Sequence, residues 1–160
     1  MPDAPVTRDV LDELLEDNAV ARAALLQAVD ALPAERRLER AFGEWSVKDM
    51  VAHLAAWQDG YAAALELVAR GERPVIPGYA NDDDAFNAAR VAEARELSWE
   101  QLLGNLRAAR ERHDAAVRGL RVLDPDRYAE GRTPRRLASS ANHDREHTPE
   151  IEAWRRAQGV

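Results

Sequence analysis

Two histidines four residues apart, His143 and His147, are the clearest chemical signal in the sequence. On a helix that spacing puts both rings on one face, one turn apart, so two imidazoles can bind one metal ion without distorting the backbone. The residues between them are Asp144, Arg145 and Glu146, so the H-E-x-x-H pattern of zinc proteases is absent. Glu146 is expected to point away from the His143–His147 face. The same pair also fits two solvated histidines on a polar helix. His53 lies elsewhere, one residue off the apolar stripe of another helix, with Trp57 one turn beyond it. A ligand from a second helix is what a metal site in a bundle core requires. Three neutral nitrogens would leave a coordination position open, the mark of a reactive or ligand-binding site rather than a structural one. His113, the fourth histidine, falls on an apolar helix face and reads as a hydrogen-bonded core group or as a support behind the ligands.

The elements that must carry these residues are helices. Ala and Leu dominate a 46% hydrophobic fraction, aromatics are 6%, and the chain's 160 residues suit one domain, 1–160. Thr7 can cap a first helix whose Leu11, Leu14, Leu15, Leu25, Val29 and Leu32 recur at helical spacing until Pro33. Ser46 with Asp49 resembles a capping box opening a second helix, through His53, Trp57 and Leu65 to Gly71. Glu72 to Asp84 reads as a loop, whose acidic run from Asp82 to Asp84 suits a helix N-terminus better than a cation site. A short helix is expected from about Asp84 to Glu96. Ser98 and Gln101 form another capping box, opening a long helix to Leu120. After a second long connection, Val122 to Pro134, one last helix should run from Arg135 to about Gln158 with Gly159 as its stop. Pro149 should kink it near Arg145, or Thr148 caps a new helix there. The expected fold is an all-α four-helix bundle with an extra short helix and two long loops.

Composition removes several function classes. The net charge is −7, from 29 acidic and 22 basic residues, which disfavours nucleic acid as a partner. Arg132, Arg135 and Arg136 cluster, and a solvated helix start accounts for them. The absence of cysteine excludes disulfides, thiolate ligands and a cysteine nucleophile. Neither a signal peptide nor a membrane span is expected, so the expected location is the cytoplasm.

The segment Trp45-Ser46-Val47-Lys48-Asp49-Met50-Val51-Ala52-His53-Leu54-Ala55-Ala56-Trp57 resembles the second-helix signature of the DinB-like superfamily. That group includes YfiT-type proteins, the N-terminal domain of mycothiol-dependent maleylpyruvate isomerases, and ClbS/DfsB proteins. The segment from Asn142 to Arg155 resembles the closing helix of the same group, and Asp84-Ala85-Phe86-Asn87-Ala88 with Leu97-Ser98-Trp99-Glu100 is similar to the middle of ClbS-like members. The resemblance implies a divalent metal, zinc or nickel, held by His53, His143 and His147. It also implies a small-molecule substrate. An ion with an open position can activate water or a thiol, or polarise a carbonyl. The implied activities are thus hydrolysis, or S-transfer and detoxification of small electrophiles with a low-molecular-weight thiol as co-substrate. His113, Asp144 and Tyr61 are general-base candidates by type alone. Asp144 is expected to pair with Arg145 or Arg135 on the surface, Tyr61 to sit in the core, and Trp45, Trp57 and Trp154 to pack or to wall a pocket. The rival classes are a metal-holding binder without turnover and an interaction bundle without metal. A homodimer suits all three.

Overall fold

The computed structural model describes residues 6–121 and 134–160. Four long helices form the bundle: α1 (Arg8–Val29), α2 (Val47–Ala69), α4 (Trp99–Gly119) and α6 (Ala141–Gln158). The short helices α3 (Asp83–Ala94) and α5 (Pro134–Ala138) and one 3-10 turn, Ala34–Arg36, complete the helical set among the described residues. Most of the expected connection over Val122–Pro134, with Arg132, lies outside them. No helix among them is long and apolar enough to cross a membrane.

The helix starts follow the capping residues. Thr7, Ser46, Asp82 and Ser98 each accept a backbone N–H of the first turn, and Ser46 with Asp49 and Ser98 with Gln101 are reciprocal capping boxes. Asp82 therefore spends its carboxylate on the start of α3. In the loop before α3, Ile76 packs so closely on α2 that a Cβ at Gly60 would lie 2.7 Å from its Cγ2.

Two features depart from the sequence reading. A short antiparallel hairpin, β1 (Arg40–Phe42) and β2 (Trp45–Ser46), precedes α2, and it turns at Gly43, whose φ is +63°. Strands of three and two residues are too short for period-two alternation to stand out. The last helix is also not continuous from Arg135. It breaks at Ser139–Ser140 into α5 and α6. The cause is Asn18 of α1, fully buried 120 residues upstream. Its Nδ2 donates to the Ala138 carbonyl at 2.8 Å, and its Oδ1 accepts from the Ser140 and Ala141 amides at 2.9 Å. One amide side chain thus caps both helix ends, which Ser140 does not do for itself. Pro149 sits inside α6, and no new helix starts at Thr148, whose hydroxyl donates instead to the Asp144 carbonyl.

Among the described residues the bundle has two apolar clusters, one around Leu11, Leu65, Val117 and Leu137, the other around Leu25, Leu54, Leu106 and Ile151. Along α1, α2 and α4 a buried polar layer comes between them: Asn18 and Arg22, Gln58, then Arg110 and His113. Asp144 of α6 joins this layer. Its carboxylate accepts from Arg22 Nε at 2.9 Å and from Arg110 Nη2 at 3.0 Å. The expected surface pairing of Asp144 is thereby overturned; Arg145 pairs with Asp17 instead. The residue is turned inward because two desolvated guanidinium groups need a counter-charge. Burial first, and Arg22 second, push Arg110 down to about 10 in spite of Asp144. Substituting Asp144→Ala strands two buried cations, so chemical denaturation should show a loss of about 3–5 kcal/mol. A loss below about 1 kcal/mol would mean that the ion pairs do not hold α6.

Candidate metal centre

His53 on the second turn of α2 and His143 and His147 on α6 meet at one wall of the bundle. Each offers a ring nitrogen, and the three nitrogens lie within 4.8 Å of one another. His53 Nε2 faces His143 Nε2 at 2.8 Å. The ring centroids are 4.6 to 5.2 Å apart, and all three pairs meet edge-on. His113 is elsewhere: it is fully buried, and its Nε2 binds the Leu137 carbonyl at 2.8 Å, tying α4 to α5. The core-histidine reading of His113 therefore holds.

The rings are held from behind. His147 Nδ1 lies 2.7 Å from Glu150 Oε2, and His53 Nδ1 lies 3.0 Å from Asn87 Oδ1 on α3. Both partners are acceptors, which places a hydrogen on each Nδ1 and leaves each Nε2 with a free lone pair. Burial, then the neighbouring His147, pull His53 down to about 4, against the hydrogen bond to Asn87. Burial, then His53, His147 and Arg22, pull His143 down to about 3. Near neutral pH these two rings are uncharged, the form that ligates metals.

This donor set fits a divalent ion. Two nitrogens at about 2.05 Å from a tetrahedral ion stand roughly 3.3 Å apart, within the range the three rings span. Among the described residues no fourth His, Asp or Glu joins the group. Beside it opens a cavity of about 900 Å³. Trp45, Trp57 and Tyr61 supply an aromatic wall, Arg135 and Arg136 of α5 supply guanidinium groups, and Asp83 and Glu146 supply carboxylates.

The cavity takes in residues to which the sequence reading gave no place at the site. Glu146 is exposed and lines the cavity, and the two arginines line it as well as being exposed. Tyr61 packs against the Leu11–Leu137 cluster as expected and lines the cavity as well, and Trp154 takes the packing role, against the Leu25–Ile151 cluster. Of the candidate bases, Asp144 and His113 are buried in the polar layer. Asn87 and Glu150 have no role in the sequence reading. The i,i+3 spacing of His147 and Glu150 is a usable signal; Asn87 comes from a separate helix 34 residues away from His53 and leaves none.

The depressed histidines make metal-free stability depend on pH. In the unfolded chain these imidazoles protonate near 6.5, but in the folded chain only near 4 and 3. The unfolded state therefore binds more protons through that window, and stability falls as pH falls. The melting temperature of metal-free protein should drop steadily from pH 6.5 to 4, with a shallower slope in His143→Phe. An unchanged slope in that variant would contradict the assignment.

The comparisons agree with this architecture. A crystal structure of an uncharacterised protein from Escherichia coli UTI89 superposes with a TM-score of 0.77 at 19% identity, over 94% of this chain and 95% of that one. YfiT from Bacillus subtilis, described as a probable metal-dependent hydrolase with an unusual four-helix bundle topology, superposes with a TM-score of 0.73 at 20% identity, over 99% and 93%. No curated protein matches the sequence. Residues 19–151, which carry His53, His143 and the Asp144 ion pairs, match the DinB superfamily, and the chain belongs to that family.

Proposed function

We propose that this protein is a metal-dependent hydrolase of small electrophilic molecules, with His53, His143 and His147 as the ligands of a zinc or nickel ion. The observation that carries the reading is a set of three imidazoles, two of them with Nε2 freed by a partner behind the ring, at the wall of an open cavity of about 900 Å³. A structural site would be closed by a fourth protein ligand, whereas an accessible position beside a cavity suits substrate. When bound, a divalent ion there supplies Lewis acidity, lowering the pKa of water or a thiol and polarising a carbonyl.

The chain's own residues divide the remaining work. Trp45, Trp57 and Tyr61 bury the apolar part of a substrate, and Arg135 and Arg136 hold an anionic group. The Glu146 carboxylate, one turn beyond His143 and lining the cavity, takes the proton that the attacking water gives up and returns it to the leaving group. The description of YfiT as a probable metal-dependent hydrolase supports hydrolysis by analogy of fold. Thiol S-transfer is the second reading. The cavity volume lies at the upper end of small-molecule sites and accommodates a thiol beside the electrophile.

Protein purified without chelator or nickel resin should carry close to one ion per chain by elemental analysis, and His143→Ala and His147→Ala should lose it. Loaded protein should turn over members of a panel of activated esters and amides, or of electrophiles with added thiol, and the panel separates the two readings. Glu146→Gln should keep the ion and lose about 10²–10⁴ in rate. Wild-type protein that arrives empty and takes up neither zinc nor nickel would refute the proposal.

A further inference from the structure

We infer that Trp57 and Asn87 act together as a positioning pair that fixes the tautomer of His53, so that Nε2 and not Nδ1 presents its lone pair to the centre. The consequence for metal affinity rests on the metal-dependent reading above; the tautomer itself does not.

The inference follows from donors and acceptors alone. The indole Nε1–H of Trp57 lies 2.7 Å from Asn87 Oδ1. An indole nitrogen only donates, so the Asn87 atom facing it must be the carbonyl oxygen, and the orientation of the amide is thereby set. That same oxygen stands 3.0 Å from His53 Nδ1. A carbonyl oxygen only accepts, so Nδ1 must carry the hydrogen. A neutral imidazole has one, so Nε2 is left bare, directed at His143 Nε2 2.8 Å away. One oxygen thus reads a fixed donor on Trp57 and imposes a proton position on His53.

The supporting structure serves this contact. Trp57 and His53 are one turn apart on α2 and present their donors to the same point. Asn87 is delivered by α3, a helix outside the four-helix frame, which docks through the buried Phe86 and Val91. Phe86 packs on the Trp57 ring itself, with centroids 4.8 Å apart. The contrast with His147 is informative. Its orienting partner, Glu150, is a half-exposed carboxylate, whereas buried His53 receives a neutral amide, which needs no counter-charge in the interior. Without the Trp57 N–H, the amide can turn over and offer Nδ2–H₂ to His53 Nδ1. That stabilises the opposite tautomer, whose Nε2 hydrogen occupies the lone-pair direction.

Long-range ¹H–¹⁵N correlation of the imidazole rings reads the tautomer directly in metal-free protein. Wild type is expected to show His53 as Nδ1–H. Asn87→Leu removes the acceptor, and Trp57→Phe keeps an aromatic ring against Phe86 while removing the N–H. Both are expected to shift His53 toward Nε2–H and to weaken zinc binding about 10–100-fold. Asn87→Asp keeps the acceptor and is expected to retain the wild-type tautomer. Observation of His53 as Nε2–H in the wild type, which needs no variant, would overturn the inference, as would an unchanged tautomer in a folded Asn87→Leu protein. If the tautomers respond as expected but no variant or wild type binds zinc, the positioning pair stands and the metal reading fails.

Discussion

The carboxylate of Asp144 is the charge on which the site's geometry depends. It lies inside the bundle, fixed by Arg22 of α1 and Arg110 of α4, and it is the residue next to His143. A buried ion pair of this kind adds little stability by itself, because desolvation offsets most of the attraction. Its effect is on register. An apolar stripe can slide or rotate by a few ångströms at small cost, but two forked guanidinium groups meet one carboxylate in one arrangement only. That arrangement fixes the rotation of α6 about its axis, and hence the face on which His143 and His147 emerge.

The polar layer and the candidate centre are consequently two sides of one construction. Gln58 and Arg22 line the inner side of α2 and α1, joined by a hydrogen bond, while His53, one turn before Trp57, meets α6 on the cavity side. Asn18 performs the corresponding task for the backbone, ending α5 and starting α6 so that Arg135 and Arg136 can stand over the cavity. The apolar clusters above and below the layer supply the cohesion; the polar groups specify which faces meet. Three imidazoles can then share one desolvated corner because burial and mutual repulsion keep His53 and His143 uncharged.

Much of this was legible in the sequence, and the illegible part has a common cause. Helix starts at Thr7, Ser46 and Ser98 were readable because capping is local, and the pairing of His143 with His147 was readable because both lie on one turn. The family signature around His53 brought in the third histidine. What escaped were contacts made across the bundle: Asn18 reaching Ala138, Asp144 reaching Arg22, Asn87 reaching His53. Local reasoning gave Asp144 to the nearest arginine, and Arg145 is nearer in sequence than Arg22. Burial reversed that choice, because two guanidinium groups already inside outweigh one in water. Glu146 lines the cavity from the flank of α6 beside the histidine face, because the cavity is broad enough to include both.

Coordination of one ion by the Nε2 atoms of His53, His143 and His147, as proposed, can be seen in a crystal. Anomalous diffraction from a crystal soaked in zinc, collected on both sides of the zinc absorption edge, tests it most directly. A single strong peak is expected about 2.0–2.1 Å from all three Nε2 atoms, with Asn87 and Glu150 still on the two Nδ1 atoms behind. A peak on Glu146 or Asp83 without the histidines, or no peak at the three rings, would contradict it.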